Sequence, residues 1–177
     1  MIYEFCAENV TLLEKAMQAG ARRIELCDNL AVGGTTPSYG VTKAAVELAA
    51  NYDSTIMTMI RPRGGDFVYH DMEIAIMLED IRLIAQAGSQ GVVFGALTAD
   101  RKLDKANLEK LIAESKGMEI VFHMAFDELS DEDQLEAIDW LSQAGVTRIL
   151  TRAGVSSDAL EKRFAHYHRI LEHAKGK

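Results

Sequence analysis

Cysteine, proline and long hydrophobic runs are all scarce in this sequence. Its 177 residues include two cysteines and two prolines, and two thiols cannot form the disulfide framework of a small secreted protein. No apolar run approaches the roughly 18–20 residues that span a bilayer, and the first residues lack the basic segment of a signal peptide. We therefore expect a cytoplasmic protein, without a membrane span, that keeps its cysteines reduced.

Basic charge is also in short supply. The chain has 19 lysines and arginines against 27 aspartates and glutamates, which gives a net charge of −8. Nucleic-acid binding needs a concentrated basic surface, so we expect no nucleic-acid partner, whereas a local arginine pocket could still hold a small anion. A structural zinc site fits poorly, because neither cysteine belongs to a CxxC motif or a Cys/His cluster.

The rest of the composition is that of a folded protein. Hydrophobic residues make up 48% of the chain and charged residues 26%, which are ordinary values for a globular domain. We expect one domain over residues 1–177. This length can enclose one core but is short for a complete eight-unit barrel.

The tripeptide Gln-Ala-Gly recurs three times, at residues 18–20, 86–88 and 143–145. Each copy ends a helical apolar pattern and precedes a short β-branched run. Glycine just after a helix commonly takes the left-handed conformation that terminates it. The repeat therefore predicts the helix-to-strand junctions of one recurring unit.

Apolar periodicity extends this unit along the whole chain. The patterns predict strands near 2–7, 23–27, 55–61, 91–96, 118–124 and 147–151, and helices near 9–19, 41–52, 71–87, 105–116, 131–144 and 157–174. Ser130 is the predicted N-cap of the fifth helix, with Asp133 at the capping-box position. The last helix has a predicted buried face made of Leu160, Phe164, Tyr167 and Leu171.

Strict alternation of strand and helix predicts a parallel sheet with right-handed crossovers. We interpret the fold as α/β, a TIM-type (β/α) barrel that is incomplete, with about six βα units. A doubly wound open sheet is the competing architecture, but no G-x-G-x-x-G motif follows the first strand. Because an open barrel exposes both sheet edges, we expect either a longer natural chain or self-association as a homo-oligomer.

Two Glu-x-Cys pairs occupy equivalent places in the first two strands. Glu4 and Cys6 share one face of the first strand, and Glu25 and Cys27 share one face of the second, because alternate side chains point to opposite faces. The other face of each strand is apolar and must pack against helices. Both pairs are therefore predicted to face the lumen at the C-terminal ends of the strands, where TIM barrels carry their chemistry.

Further charged and titratable residues follow other strands of the predicted barrel. The third strand ends in Arg-Pro-Arg-Gly-Gly-Asp, and the fifth runs into Phe-His-Met-Ala-Phe-Asp. A carboxylate inside a barrel is costly unless a cation pairs with it, so these segments should meet at one rim. The predicted rim cluster consists of Glu25, Arg61, Arg63, Asp66, His123 and Asp127.

Four segments, 25–27, 33–38, 61–67 and 122–127, resemble the CutC family in order and spacing, and the likeness runs from residue 2 to about residue 174. The resemblance implies a TIM-type barrel, a cytoplasmic location and Cu(I) binding through cysteines that correspond to Cys6 and Cys27. The sequence departs from the family pattern at Met124, where relatives usually carry arginine. It also ends where the family pattern continues with about two further strand–helix units.

Copper binding is the first functional hypothesis. Cu(I) is a soft ion that prefers thiolates, and Cys6 and Cys27 would supply two of them, with copper as the bound ion. The alternative is that both cysteines are small core residues. Met57 and Met59 could add thioether ligands, although strand methionines are more often core residues.

The second hypothesis is a TIM-barrel enzyme that acts on a small anionic substrate. Arg61 and Arg63 would clamp the anion, and His123 would act as general acid–base with Glu25 or Asp127 beside it. The alternative is a salt-bridge network that only neutralises the lumen.

A scaffold protein with a degenerate site is the third hypothesis. Fold alone assigns no reaction. The last helix carries His166, His168 and His173. We expect these histidines to be solvent-exposed helix residues and not a metal site.

Overall fold

The computed structural model describes residues 2–154 and 159–177. Its strands are β1 (Glu4–Glu8), β2 (Arg23–Cys27), β3 (Thr55–Met59), β4 (Gly91–Phe94), β5 (Glu119–Phe122) and β6 (Arg148–Ile149). Its α-helices are α1 (Leu13–Gln18), α2 (Tyr39–Ala49), α3 (Asp71–Ala87), α4 (Lys105–Glu114), α5 (Asp131–Gln143) and α6 (Leu160–Ala174). The predicted start of the last helix at residue 157 lies outside the described residues.

The six strands form one parallel sheet in the order β1-β2-β3-β4-β5-β6. A doubly wound sheet would reverse its strand order at a switch point, and this sheet follows the chain without a reversal. The prediction of an incomplete TIM-type barrel is confirmed. Among the described strands, β1 and β6 do not pair, so the sheet is an open half-barrel.

Several predicted boundaries were wrong by a few residues. The first helix begins at Leu13 and not near residue 9, because Asn9 has a φ of 55° and cannot belong to a right-handed helix. The fifth strand ends at Phe122, and a 3-10 helix (Met124–Glu128) follows it. A second short 3-10 helix (Leu30–Val32) follows β2 and was not predicted.

The predicted helix-ending signals are confirmed. The glycine of each Gln-Ala-Gly tripeptide has a positive φ, 101° at Gly20, 89° at Gly88 and 91° at Gly145. Ser130 caps α5, since its hydroxyl accepts the backbone N–H of Asp133 at 3.2 Å and donates to the Asp133 carboxylate at 2.6 Å. The glycines mark the ends of α1, α3 and α5, and Ser130 marks the start of α5.

The sheet separates an outer apolar core from a mixed lumen. Outward-facing residues such as Ile24, Ile56 and Phe94 are fully buried against the helices. A smaller lumen-side cluster contains Cys27 and Met57. The faces of the strands therefore follow the predicted alternation of apolar and chemically active side chains.

The floor of the lumen is an ion network. Arg23 is buried, its Nε lies 2.5 Å from Glu4, and one of its Nη atoms lies 2.6 Å from Glu119. Glu119 also lies 3.9 Å from Arg148. Because Arg23 belongs to β2 and Glu119 to β5, this side chain joins two strands that are not neighbours and closes the N-terminal end of the half-barrel.

The predicted buried face of α6 is exposed. Leu160 and Phe164 are about 60% exposed, Tyr167 and Leu171 are 40% and 47% exposed, and Ile170 is the buried residue of this helix. A helical pattern shows that a helix has an apolar face but not which element covers it. In the part of the chain that the structure describes, no strand follows β6 to cover this face.

Candidate functional site

A cavity of about 380 Å³ opens at the C-terminal ends of the strands. We call it the rim chamber. Its chemically active lining residues are Cys6, Glu25, Cys27, Met59, Arg61 and His123, with Phe67, Met124 and Leu150 among the apolar ones. Strand alternation brings the first two strands' thiols and carboxyl group into this chamber, and the loops after β2 and β3 supply its roof.

Two thiols and one carboxyl group form the tightest cluster in the rim chamber. Cys6 is paired with Glu25 across β1 and β2, and Cys27 follows two residues later on the same face. The two sulfur atoms and a Glu25 carboxyl oxygen lie within 4.8 Å of one another. Cys27 and Glu25 are buried, whereas Cys6 is exposed. The cluster can therefore be reached from solvent through Cys6.

The two thiols share a proton unequally. A hydrogen bond from the Cys27 thiol lowers the pKa of Cys6. The same bond, together with burial, raises the pKa of Cys27. Cys6 is thus the more readily deprotonated thiol, and Cys27 is the donor in this pair. A soft cation that took the place of the shared proton would be held by both sulfurs.

Glu25 is held near neutrality by its surroundings. Burial, and secondly the charge of Glu4, raises the pKa of Glu25 to about 7, while Arg23 acts in the opposite direction. Near pH 7 this carboxyl group can therefore either carry a charge or hold a proton. A hard oxygen ligand of this kind is a minor partner for a soft ion.

Arg61 organises the loops that roof the chamber. It is 4% exposed, and one Nη donates to the carbonyl oxygens of Val32 at 2.9 Å and Gly34 at 3.0 Å. The other Nη donates to the carbonyl oxygen of Gly65 at 2.8 Å. Its guanidinium carbon lies 4.9 Å from the ring centre of Phe67. All of these acceptors are uncharged, so these hydrogen bonds fix the position of the Arg61 guanidinium but do not neutralise its charge.

His123 is a neutral donor in the chamber wall. Its Nδ1 accepts the backbone N–H of Ala125 at 3.2 Å, which leaves the ring proton on Nε2. Burial, and secondly the charge of Arg61, lowers the pKa of His123 to about 3. A Cβ on Gly95 would lie 2.7–2.8 Å from the His123 ring, so the strand can pack against the ring only because glycine stands there.

The His123 Nε2 atom is buried and has no hydrogen-bond partner among the residues that the structure describes. The ring centres of His123 and Phe67 are 4.7 Å apart, so Phe67 contacts both His123 and Arg61. A buried donor without a partner is uncommon in native proteins. A ligand acceptor atom that reached it would satisfy this donor.

Three residues of the predicted rim cluster do not line the chamber. Arg63 binds Glu73 at 2.5 Å and Asp66 at 3.0 Å, which ties the loop after β3 to the start of α3. The Asp127 carboxylate accepts the Thr151 hydroxyl at 2.5 Å and a backbone N–H of the next residue. These three side chains hold loops together, and the double-arginine clamp of the sequence-based hypothesis is not formed.

Sequence reasoning missed two residues that shape the site. Phe67 lies in a loop without periodicity, and only its position after the glycine pair could have indicated a role at the rim. Arg23 is the first residue of the predicted strand 23–27 and was given no role, although the period of two places it on the same face as Glu25. Alternation along β2 was the available signal for it.

The last-helix histidines do not form a shared site. His168 is exposed as expected, but His166 and His173 are partly buried. His166 bonds to Gln134 at 2.6 Å and His173 to Asp139 at 3.0 Å. The expectation of three solvent-exposed histidines was therefore wrong for two of them, because α6 packs this side against α5.

The fold and the site together define a TIM-type half-barrel with a thiol-containing chamber that can hold a metal ion. None of the described helices is both long and apolar enough to cross a bilayer. The model of the CutC family matches residues 1–177, and the chain belongs to this family.

Named relatives support the assignment. A family protein CutC of Enterococcus faecalis is 51% identical over 98% of this chain and 83% of its own length. The human copper homeostasis protein cutC homolog is 42% identical over 99% of this chain, which spans 62% of the human protein. A crystal structure of CutC from Streptococcus agalactiae superimposes with a TM-score of 0.95 at 43% identity, over 99% of this chain and 84% of that one.

Proposed function

We propose that the protein is a cytoplasmic copper homeostasis protein that binds Cu(I) through the thiolates of Cys6 and Cys27. The observation that carries the proposal is the approach of both sulfurs and Glu25 to within 4.8 Å on adjacent strands. The name of the human relative refers to copper homeostasis, and the free thiols suit a reducing compartment.

The chemistry of the chamber favours a soft monovalent ion. Cu(I) prefers sulfur, and two thiolates are sufficient to hold it. Cys6 is already predisposed to the thiolate form, and the ion would displace the proton that Cys27 donates. Met59 lines the same chamber and offers a thioether as a third soft ligand.

A Cu(I) titration in a thiol-buffered solution, followed by metal analysis, tests the proposal. The wild-type protein should bind one Cu(I) per chain, and Cys6→Ser or Cys27→Ser should abolish the tight site because each removes a thiolate. Met77→Leu is the matched control, since it removes a sulfur from the fully buried core outside the rim chamber and should leave binding unchanged. One tight ion bound by either serine variant, or none by the wild type, would contradict the proposal.

The second candidate function is a TIM-barrel enzyme that acts on a small anionic substrate. The unpartnered Nε2 of His123 beside Arg61 favours it. Of the predicted catalytic cluster, Glu25, Arg61 and His123 share the chamber, while the other members would act only by positioning loops. With a pKa of about 3, His123 would serve as a hydrogen-bond donor and not as a base.

We also propose that the protein works as a homo-oligomer. The support is the pair of free sheet edges and the apolar face of α6 that nothing covers within the described residues. Both features are normally covered in stable proteins.

A further inference from the structure

Arg61 is a buried cation that forms no salt bridge with any of the described residues. Its Nη atoms donate to three backbone carbonyl oxygens, and Asp66, the acidic residue of the same loop, is bound to Arg63. A charge taken out of water normally has a partner of opposite sign. Arg61 lines the rim chamber, so an anion in the chamber would supply the missing charge.

His123 adds a directed donor to this charge. Its Nδ1 edge is occupied by the Ala125 N–H and by the backbone of Gly95. The side chain lines the chamber, and its buried Nε2–H has no partner among the described residues, so a ligand acceptor that reached this edge would satisfy the donor. Phe67 contacts both residues, which places the donor and the charge around one aromatic wall.

We propose that the rim chamber binds a small organic monocarboxylate, whose oxygen accepts the Nε2–H of His123 and whose charge is neutralised by Arg61. Its short apolar body packs against Phe67, Met59 and Leu150. The proposal specifies the substrate class of the second candidate function, and it rests on that function for the assumption that the rim chamber holds an anion. It does not depend on copper.

The chamber selects one negative charge over two. Both Nη atoms of Arg61 already donate to carbonyl oxygens, and its buried Nε has no partner among the described residues, so Arg61 offers an anion its charge and the Nε–H. Glu25 lies in the same chamber, and its carboxylate would repel a dianion. A cavity of about 380 Å³ is at the small end of ligand pockets. The second negative charge therefore disfavours a phosphate ester.

Calorimetry on the metal-free protein, with a Cu(I) chelator present, tests the site with butyrate as the probe. Butyrate should bind saturably at one site per chain. Its uncharged isostere butyramide and inorganic phosphate should each bind at least about tenfold more weakly, because one lacks the charge and the other exceeds it. His123→Phe should weaken butyrate at least about tenfold, whereas His168→Phe, at an exposed histidine, should not.

A second measurement covers the case in which His123→Phe does not fold. In wild-type protein with ¹⁵N-labelled histidine, butyrate should shift the Nε2 resonance of His123 and leave that of His168 in place. Absence of saturable binding, an unmoved His123 resonance, or tighter binding of phosphate than of butyrate would overturn the proposal. Butyrate binding without turnover of any tested acid would support the binding site and contradict the enzyme function.

Discussion

His123 and Glu25 lie in one chamber, and burial moves their pKa values in opposite directions. Loss of water disfavours the charged form of each group, so the pKa of the histidine falls to about 3 and that of the carboxylic acid rises to about 7. Near neutral pH the histidine is uncharged and the glutamate is poised. Arg61 is then the fixed charge that an incoming ligand meets.

The depressed pKa of His123 makes stability depend on pH. A folded pKa of about 3 lies below the unfolded value of 6.5. The contribution is present above pH 6.5 and is lost as the pH falls toward 3, because the unfolded state takes up the proton first. Between pH 7 and pH 5, the wild type should lose about 2 kcal/mol of unfolding free energy relative to His123→Phe. Urea denaturation at both pH values measures this difference.

Glu25 provides the control with the opposite sign. Its folded pKa of about 7 lies above the unfolded 4.5, so its contribution is present below pH 4.5 and is lost as the pH rises through 7. Glu25→Gln should therefore gain stability relative to the wild type as the pH rises. Parallel pH profiles of wild type and both variants would show that neither group titrates as described.

At the residue scale, the sequence predicted positions better than partners. Alternation along two strands was sufficient to place Cys6, Glu25 and Cys27 in one lumen. It could not show that Arg61 would bind loop carbonyl oxygens or that Arg63 would turn toward Glu73. Both choices depend on loop conformations, and loops carry no period from which to read a direction.

At the scale of single elements, β2 has two jobs at its two ends. Its C-terminal end carries Glu25 and Cys27 into the rim chamber, and its first residue, Arg23, anchors the floor by reaching Glu119 on β5. A half-barrel has fewer strand pairs than a closed one to hold its curvature. The ion pair across the lumen therefore helps to hold the curvature of the half-barrel.

We expect Arg23→Met to destabilise the fold by about 3 kcal/mol, because it leaves Glu4 and Glu119 close together without their cation. Arg148→Met is the matched control. Its side chain is about half exposed and 3.9 Å from Glu119, so its loss should cost less than about 1 kcal/mol. Urea denaturation at pH 7 measures both. Equal effects of the two variants would show that Arg23 does not stabilise the ion network more than Arg148 does.

The positions of the helices and strands could be predicted from the sequence, but the environment of the apolar face of α6 could not. Periods of 2 and 3.6 and the Gln-Ala-Gly endings located all six units, because those signals are local. Whether Phe164 and Leu171 face a core depends on which element lies outside them. The last helix has an apolar stripe in the sequence, and in the fold that stripe is exposed.

At the scale of the whole molecule, the open side of the half-barrel is where apolar surface remains exposed. A groove of about 300 Å³ runs between α5, β6 and α6, and Tyr167 and Leu171 form part of its wall. Burying a large apolar side chain is worth roughly 1.5–3 kcal/mol. A second copy of the chain that covered the exposed stripe of α6 would therefore gain free energy from its burial.

We expect light scattering after size exclusion to find a dimer or larger assembly at micromolar concentrations, with a melting temperature that rises with protein concentration. Phe164→Lys should shift the protein toward monomer, because it places a charge in the centre of the apolar stripe. Glu172→Lys adds a lysine on the same exposed helix but outside the stripe, and it should leave the assembly intact. A wild-type monomer with a sharp, concentration-independent melt would instead show that six units close by themselves. In that case the floor of Arg23, Glu4 and Glu119, and not a partner, is what holds the open side together.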